Sequence, residues 1–361
     1  MTLDRITLSR FRNHCETRLD GTSRLNLLVG ENGAGKTNIL EALSLLAPGR
    51  GLRRASLAEM AERSGDTGFA VSARLHQGDD EPVTMGTGTD PSRPGRRLVQ
   101  VNGAETSAVR LGEWLAVSWL TPAMDGLFTD SASARRRYLD RLALALDPAH
   151  ARRASRYEEA LRERNRLLSE PAMPDTTWMA SVERQMAEAG AALAAGRRAL
   201  IEQLSTALAD WPDRPFARPA PEYLPGGPES ANALADALAE SRARDRAAGR
   251  SLTGPHRDEL QVTMVAKAAP AAQCSTGEQK AMLLSLTLAH AELAARGRPG
   301  LLLLDEVAAH LDPLRRSALF DRLESGGAQV WMTGTEAAPF ATIEDSAATW
   351  RIADGTAVKR D

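Results

Sequence analysis

Gly30, Gly35, Lys36 and Thr37 fill every fixed position of the pattern G-x-x-x-x-G-K-[ST]. The chemistry such a pattern serves is polyphosphate binding. Its glycines let successive backbone N–H groups turn inward on phosphate oxygens at a helix N-terminus. Here the cradle would run through Gly30, Glu31, Asn32, Gly33, Ala34, Gly35, Lys36 and Thr37 to Asn38. Lys36 would reach the β- and γ-phosphates, and the Thr37 hydroxyl would ligate Mg²⁺. Composition singles out the lysine. Lys and Arg together number 45, yet lysine stands only at positions 36, 267, 280 and 359. A compact ammonium in an arginine-biased chain marks a position selected for phosphate rather than an incidental cation. The competing reading is an ordinary glycine-rich turn between a strand and a helix.

A second group of chemically capable residues lies more than two hundred positions later. Leu301-Leu302-Leu303-Leu304 ends in Asp305-Glu306. Carboxylates at the end of a buried strand stand where open α/β sheets bind ligands. Asp305 would hold Mg²⁺, and Glu306 would orient and polarise the water that attacks a γ-phosphate. Ser275-Thr276-Gly277-Glu278-Gln279 supplies a hydroxyl and a glycine just ahead of an apolar helix, from Lys280 to Glu292. By itself that is a common N-cap; it is also an anion site in waiting.

The elements that must position these groups follow from periodicity. Leu25–Val29 reads as a buried strand entering the phosphate loop, and Asn38–Leu43 as the apolar helix leaving it. Gln329–Thr333 reads as a further strand, and short strands are expected around Phe69–His76 and Arg97–Val101. Between the two halves the pattern turns helical. Ser131–Leu146 is predicted as one helix, stopped by Asp147-Pro148. Ala154, Tyr157, Leu161 and Leu168 then form an apolar stripe, resumed by Trp178, Val182, Met186, Leu193, Ile201, Leu204 and Leu208. Pro171 and Pro174 mark the turn of an antiparallel pair, and Pro212–Pro228 a proline-rich connector.

A chain of 361 residues is expected to split into two lobes, and 43% hydrophobic residues is a globular share. No apolar stretch has the length of a membrane span, and Asp4 and Arg5 interrupt any signal core, so a cytoplasmic location is expected. Cys15 and Cys274 provide no disulfide or metal framework. The net charge of −2 is no basic fingerprint, but nucleic-acid binding needs a patch rather than a basic total. Arg135, Arg136 and Arg137, Arg152 and Arg153, and Arg242 and Arg244 could track phosphates. Alternatively they are helix faces paired with neighbouring acids.

Other segments carry a resemblance. Ile6-Thr7-Leu8-Ser9-Arg10-Phe11-Arg12-Asn13 is similar to the opening strand and turn of SMC-like ATPases. Ala134-Arg135-Arg136-Arg137-Tyr138-Leu139-Asp140 and Gly254-Pro255-His256-Arg257-Asp258 resemble two hallmarks of the RecF family. That resemblance implies an α/β fold: an ABC-type P-loop ATPase head built from residues 1–125 and 251–361, with a mainly helical lobe, 126–250, inserted. It implies ATP and Mg²⁺ as cofactors, with Arg12 and Asn13 near the nucleotide. The Ser275 segment resembles the ABC signature, with Thr276 and Glu278 as departures. Ser275, Gly277 and Gln279 would then close over ATP held by a second protomer. His310-Leu311-Asp312 resembles the D-loop, with Asp312 at the same interface, and Thr333 or Thr335 stands where ABC proteins usually carry a switch histidine. The implied activity is weak, DNA-stimulated ATP hydrolysis coupled to dimerisation on gapped or single-strand/double-strand junction DNA. It would support recombinase loading and the SOS response together with recombination mediator proteins. The contrasting reading is a nucleotide-stabilised DNA-junction scaffold without functional turnover.

Overall fold

Alternating apolar and polar residues make β1 (Thr2–Phe11), whose Leu3, Ile6, Leu8 and Phe11 are buried. The phase changes after Leu3 because the pairing with a later strand shifts register between Leu3 and Arg5. β1 pairs antiparallel with β2 (His14–Asp20). Next come β3 (Leu25–Val29), β4 (Ala70–His76), β5 (Val83–Thr89), β6 (Arg97–Val101), β7 (Ala104–Glu105) and β8 (Ala116–Leu120). A six-stranded sheet has the order β2-β1-β4-β5-β6-β7 and is antiparallel throughout. The computed structural model describes residues 2–61, 68–76, 81–93, 95–171 and 175–360.

Two compact units emerge: Met1–Asp125 with Thr287–Asp361, and Gly126–Leu286. In the second lie β9 (Pro219–Leu224), β10 (Glu259–Met264) and β11 (Ala269–Pro270), in the order β11-β10-β9. The first unit contains β12 (Gly300–Leu304), β13 (Gln329–Gly334), β14 (Ala347–Ala353) and β15 (Thr356–Lys359). They complete a second six-stranded sheet, β15-β14-β3-β13-β12-β8. Its strands from β14 to β8 run parallel, and β15 is antiparallel. β12 and β13 are buried at every position, and β12 accordingly reads as an unbroken apolar run. The first unit also holds α1 (Lys36–Ser44), α2 (Leu57–Met60) and α3 (Ala108–Trp114). Ile39, Leu40 and Leu43 of α1 share one core with Leu301, Leu303 and Trp331.

The second unit is mainly helical: α4 (Ala132–Leu146), α5 (His150–Ser169), α6 (Thr176–Leu208), α7 (Ala231–Glu240) and α8 (Arg242–Ala248). α9 (Thr276–Ala294) begins in this unit and ends in the first, where α10 (Pro313–Ser325) follows. α5 and α6 are an antiparallel pair, because contacts advance along one helix as they retreat along the other. Arg164 meets Glu183, Tyr157 lies against Gly190, and His150 against Gly196. A fully buried Arg164 binds Asp245 at 2.7 Å, Glu183 at 3.2 Å and the Leu238 carbonyl at 2.8 Å.

Three sequence expectations change. Residues 251–286 cluster with the insert rather than with the C-terminal part of the head. The proline-rich 212–228 stretch contains β9, not only a connector. β9 sits at a sheet edge, where proline is tolerated, and buries Pro219, Pro221 and Tyr223 alternately. Trp178 leaves the apolar stripe and is 50% exposed at the start of α6, beneath the Arg166 guanidinium. Pro171 follows the C-cap of α5, and Pro174 lies outside the described residues.

Candidate nucleotide site

The phosphate loop joins β3 to α1 at the C-terminal edge of the parallel sheet. Gly33 (φ 85°) and Gly35 (φ 115°) lie in the left-handed region. A Cβ on Gly35 would come within 2.8 Å of the Asn13 amide and 2.7 Å of His14 Nε2, so only glycine fits there. Lys36 Nζ donates to the carbonyls of Gly30 (2.6 Å) and Glu31 (2.8 Å). Burial pushes the Lys36 pKa down, and the nearby Glu306 and Asp305 carboxylates oppose that shift.

The register of the sheet brings the distant acids to the loop. β13 runs between β3 and β12, with Met332 opposite Leu304 and Thr333 opposite Leu28. Asp305 and Glu306 therefore follow β12 at the same edge as the loop. Thr37 Oγ1 donates to Asp305 Oδ1 at 3.0 Å and lies 3.2 Å from Oδ2. Thr333 Oγ1 donates to Oδ1 at 2.8 Å and accepts the Glu306 N–H at 2.8 Å. Glu306 has φ 52°, a conformation costing a non-glycine residue roughly 1–2 kcal/mol.

These groups fit a nucleoside triphosphate with Mg²⁺. A hydroxyl and a carboxylate within hydrogen-bond distance form a hard oxygen donor pair, and Mg²⁺ commonly takes one or two such protein oxygens alongside substrate phosphates. Thr37 and Asp305 would hold the ion, which when bound would neutralise charge on the phosphate oxygens. A cleft of about 690 Å³ flanks the loop, lined by residues including Gly30–Ala34, Thr335, Arg351 and Arg360.

The other expected site residues fall into distinct places. Asn13 Nδ2 donates to the Ala34 carbonyl at 3.1 Å, and its Oδ1 accepts from Asn38 at 2.7 Å, so Asn13 braces the loop. Arg12 is bonded elsewhere, to the first helix. Its guanidinium makes two bonds, of 2.9 and 2.8 Å, to Glu41, a fully buried carboxylate on α1. Arg53 joins the same carboxylate at 2.8 Å.

Ser275 caps α9 reciprocally: its hydroxyl and N–H each lie 3.0 Å from Glu278, whose N–H returns to Ser275 Oγ at 3.4 Å. The Glu278 departure is thereby explained. Lys267, foremost, and Ser275 hold its carboxyl down at about 2. Ser275 and Gly277 are exposed, whereas Gln279 is buried and donates to the Cys274 carbonyl at 2.9 Å. Asp312 caps α10, accepting the Arg315 N–H at 2.9 Å.

The arginine clusters divide by use. Arg135 makes a two-pronged pair with Glu259 at 2.7 and 2.8 Å, and Arg136 donates to the Asp258 carbonyl at 2.9 Å. Arg153 pairs with Asp147 at 2.6 Å, and Arg242 with Glu183 at 3.0 Å. The charges of Arg135, Arg153 and Arg242 are compensated within the fold. Arg137, Arg152 and Arg244 are exposed.

Sequence reasoning missed His14, Glu41 and the bond made by Thr333. His14 is fully buried, with Nε2 3.1 Å from the Gly35 carbonyl and Nδ1 2.9 Å from Thr17 Oγ1. A histidine just after the Phe-Arg-Asn turn was visible, but only the fold reveals its reach to the loop.

A parallel sheet carrying a phosphate loop, with paired acids two strands away, defines an ABC-type P-loop ATPase fold. Residues 2–355 match the family described as RecF/RecN/SMC N terminal domain. The DNA replication and repair protein RecF of Mesorhizobium japonicum is 48% identical, over 98% of this chain and 97% of its own length. RecF of Rhizobium rhizogenes is 46% identical, over 99% and 98%. Among solved structures, that of the recombination mediator protein RecF-ATPrS in the RecFOR pathway superposes with a TM-score of 0.87. It is 23% identical, over 100% of this chain and 98% of its own. An Smc head domain from Pyrococcus furiosus superposes at 0.55, with 14% identity over 99% and 95%. The chain belongs to the RecF family of SMC-like ABC ATPases. Among the described residues, no helix is long and apolar enough to cross a membrane.

Proposed function

We propose that the chain is an ATP-driven clamp of DNA replication and recombinational repair, working in the cytoplasm. The observation that carries this reading is the assembly of Thr37, Asp305, Thr333 and Glu306 from both ends of the sequence. The phosphate loop and Lys36 bind ATP, while Thr37 and Asp305 hold Mg²⁺. Glu306 accepts a hydrogen bond from the attacking water and aligns it with the γ-phosphorus, the positioning that phosphoryl transfer chiefly requires. Weak, DNA-stimulated hydrolysis releases ADP and opens the clamp. Residues 1–125 and the C-terminal segment act as the head; the helical unit acts as its arm.

Closure joins two protomers. Ser275 and Gly277 stand exposed at a helix N-terminus, a favourable place for the γ-phosphate bound by a partner, and Asp312 is assigned to the same closed interface. DNA of gapped or junction type is the ligand of the closed dimer, with Arg137, Arg152 and Arg244 available for phosphate contacts. Recombination mediators are its partners, and recombinase loading and the SOS response are the processes it supports, a reading that the likeness to RecF proteins favours.

Complementation between two inactive variants tests the composite site. Lys36→Arg lacks a competent phosphate loop, and Ser275→Arg lacks a competent signature. Each should hydrolyse ATP poorly alone, and mixing them should restore activity through dimers carrying one intact site. A mixture no more active than its components would contradict sharing between protomers. Unaltered DNA residence time in Lys36→Arg would favour a scaffold that needs no turnover.

A further inference from the structure

We propose that Thr333 is a positioning residue that fixes both site carboxylates at once. The inference rests on the hydrolytic reading of Asp305 and Glu306. Register makes the arrangement unavoidable: Met332 lies opposite Leu304, so Thr333 and Asp305 follow side by side at the ends of their strands. Trp331, Leu301 and Leu303 all enter one core, and side chains two positions on return to the same face. Thr333 and Asp305 are thus aimed together.

A threonine hydroxyl has one proton to give and lone pairs to receive. Thr333 spends the proton on Asp305 Oδ1 at 2.8 Å and receives the Glu306 N–H at 2.8 Å. It is fully buried, so water has no access to replace either bond. Oδ1 is held by Thr333 and by Thr37 at 3.0 Å, while Oδ2 has the longer 3.2 Å contact with Thr37. The less engaged oxygen is left for a cation shared with the Thr37 hydroxyl. At Glu306 the pinned N–H supports the left-handed turn, φ 52°, from which the carboxylate departs. One hydroxyl therefore sets the rotamer of one acid and the backbone of the next. Thr335 is exposed at the cleft and bonds to neither acid among the described residues.

The test compares Thr333→Val, which keeps shape and loses the hydroxyl, with Thr333→Ser, which keeps the hydroxyl. Two quantities are read: steady-state kcat and KM for ATP, and Mg²⁺ affinity from Mg²⁺ titration of fluorescent-ATP binding. Thr333→Val should lose about 10- to 100-fold in kcat and in Mg²⁺ affinity, the usual cost of removing a group that orients a ligand. Nucleotide binding without Mg²⁺ should stay near wild type, and Thr333→Ser should recover most of both losses. Wild-type kcat and Mg²⁺ affinity in Thr333→Val would overturn the proposal, as would Thr333→Ser impaired as deeply as Val. Should Val prevent folding, Thr333→Cys against Thr333→Ser makes the same comparison at near-equal size. Glu306→Gln hydrolysing ATP at the wild-type rate would instead sink the hydrolytic reading, and the Mg²⁺ titrations would still judge Thr333.

Discussion

The Thr37 hydroxyl donates to the Asp305 carboxylate at 3.0 Å, although 268 positions separate the two residues. The bond ties the helix after the phosphate loop to the end of β12, so the two halves of the site form only when both chain ends fold together. Asp305→Asn retains the shape but removes the charge that would hold Mg²⁺. Lewis-acid stabilisation is worth several kcal/mol, which corresponds to a loss of ~10²-fold or more in turnover. Steady-state hydrolysis across a Mg²⁺ series checks this; an Asn variant with wild-type turnover would remove Asp305 from the metal.

Arg12 and Glu41 make the next test, because the pair gives Arg12 a structural role beside the expected nucleotide one. Removing one partner of a buried pair leaves an uncompensated charge, costing about 3–5 kcal/mol when no other cation is present. Arg12 is partly exposed and Arg53 shares the carboxylate, so Arg12→Ala should cost roughly 2 kcal/mol after that discount. The urea midpoint should fall while ATP affinity changes little. An unchanged midpoint with weakened ATP binding would return Arg12 to the nucleotide.

Salt dependence separates the arginines. Arg137 is exposed and, among the described residues, bonds Ser133, whereas Arg135 is committed to Glu259. Arg137→Ala should lower the slope of log affinity for gapped DNA against log salt by about 1. Arg135→Ala should leave the slope alone and lower the melting temperature. Equal slopes for Arg137→Ala and wild type would exclude that phosphate contact.

Acid should loosen the loop through His14. Burial, foremost, lowers its pKa below the usual histidine value, against the opposing pull of the Gly35 and Gly355 carbonyls. The unfolded chain therefore takes up a proton near pH 6.5, and the folded chain only lower. Stability from this group is full above about pH 6.5 and falls as pH drops from there through the folded pKa. The His14 ring C–H resonances should titrate below pH 6.5, and His14→Gln should flatten part of the acid-side fall in melting temperature. Titration at or above 6.5 would contradict the account. His256, also depressed by burial, accounts for a separate share.

Much of the fold was legible because its signals are local. Leu25–Val29, Asn38–Leu43 and Leu301–Leu304 carry their own periodicity, and the loop between the first two carries its own glycines. The strand Pro219–Leu224 was hidden because proline argues against a strand until its edge position is known. The fates of Arg12, Arg135 and Arg242 were illegible for a different reason. An arginine pattern gives charge, while the carboxylate that absorbs it stands 29, 124 or 59 positions away. Thr333 offered only a position to the sequence; the parallel register that sets it beside Asp305 belongs to the fold.

The central claim, that ATP joins two copies of this chain, is tested most directly by molar mass from light scattering on the Glu306→Gln variant. Mass is read without nucleotide, with ADP, and with ATP plus Mg²⁺. The account predicts a monomer in the first two conditions and a doubled mass in the third, since bound ATP would persist unhydrolysed. A mass indifferent to nucleotide would contradict it.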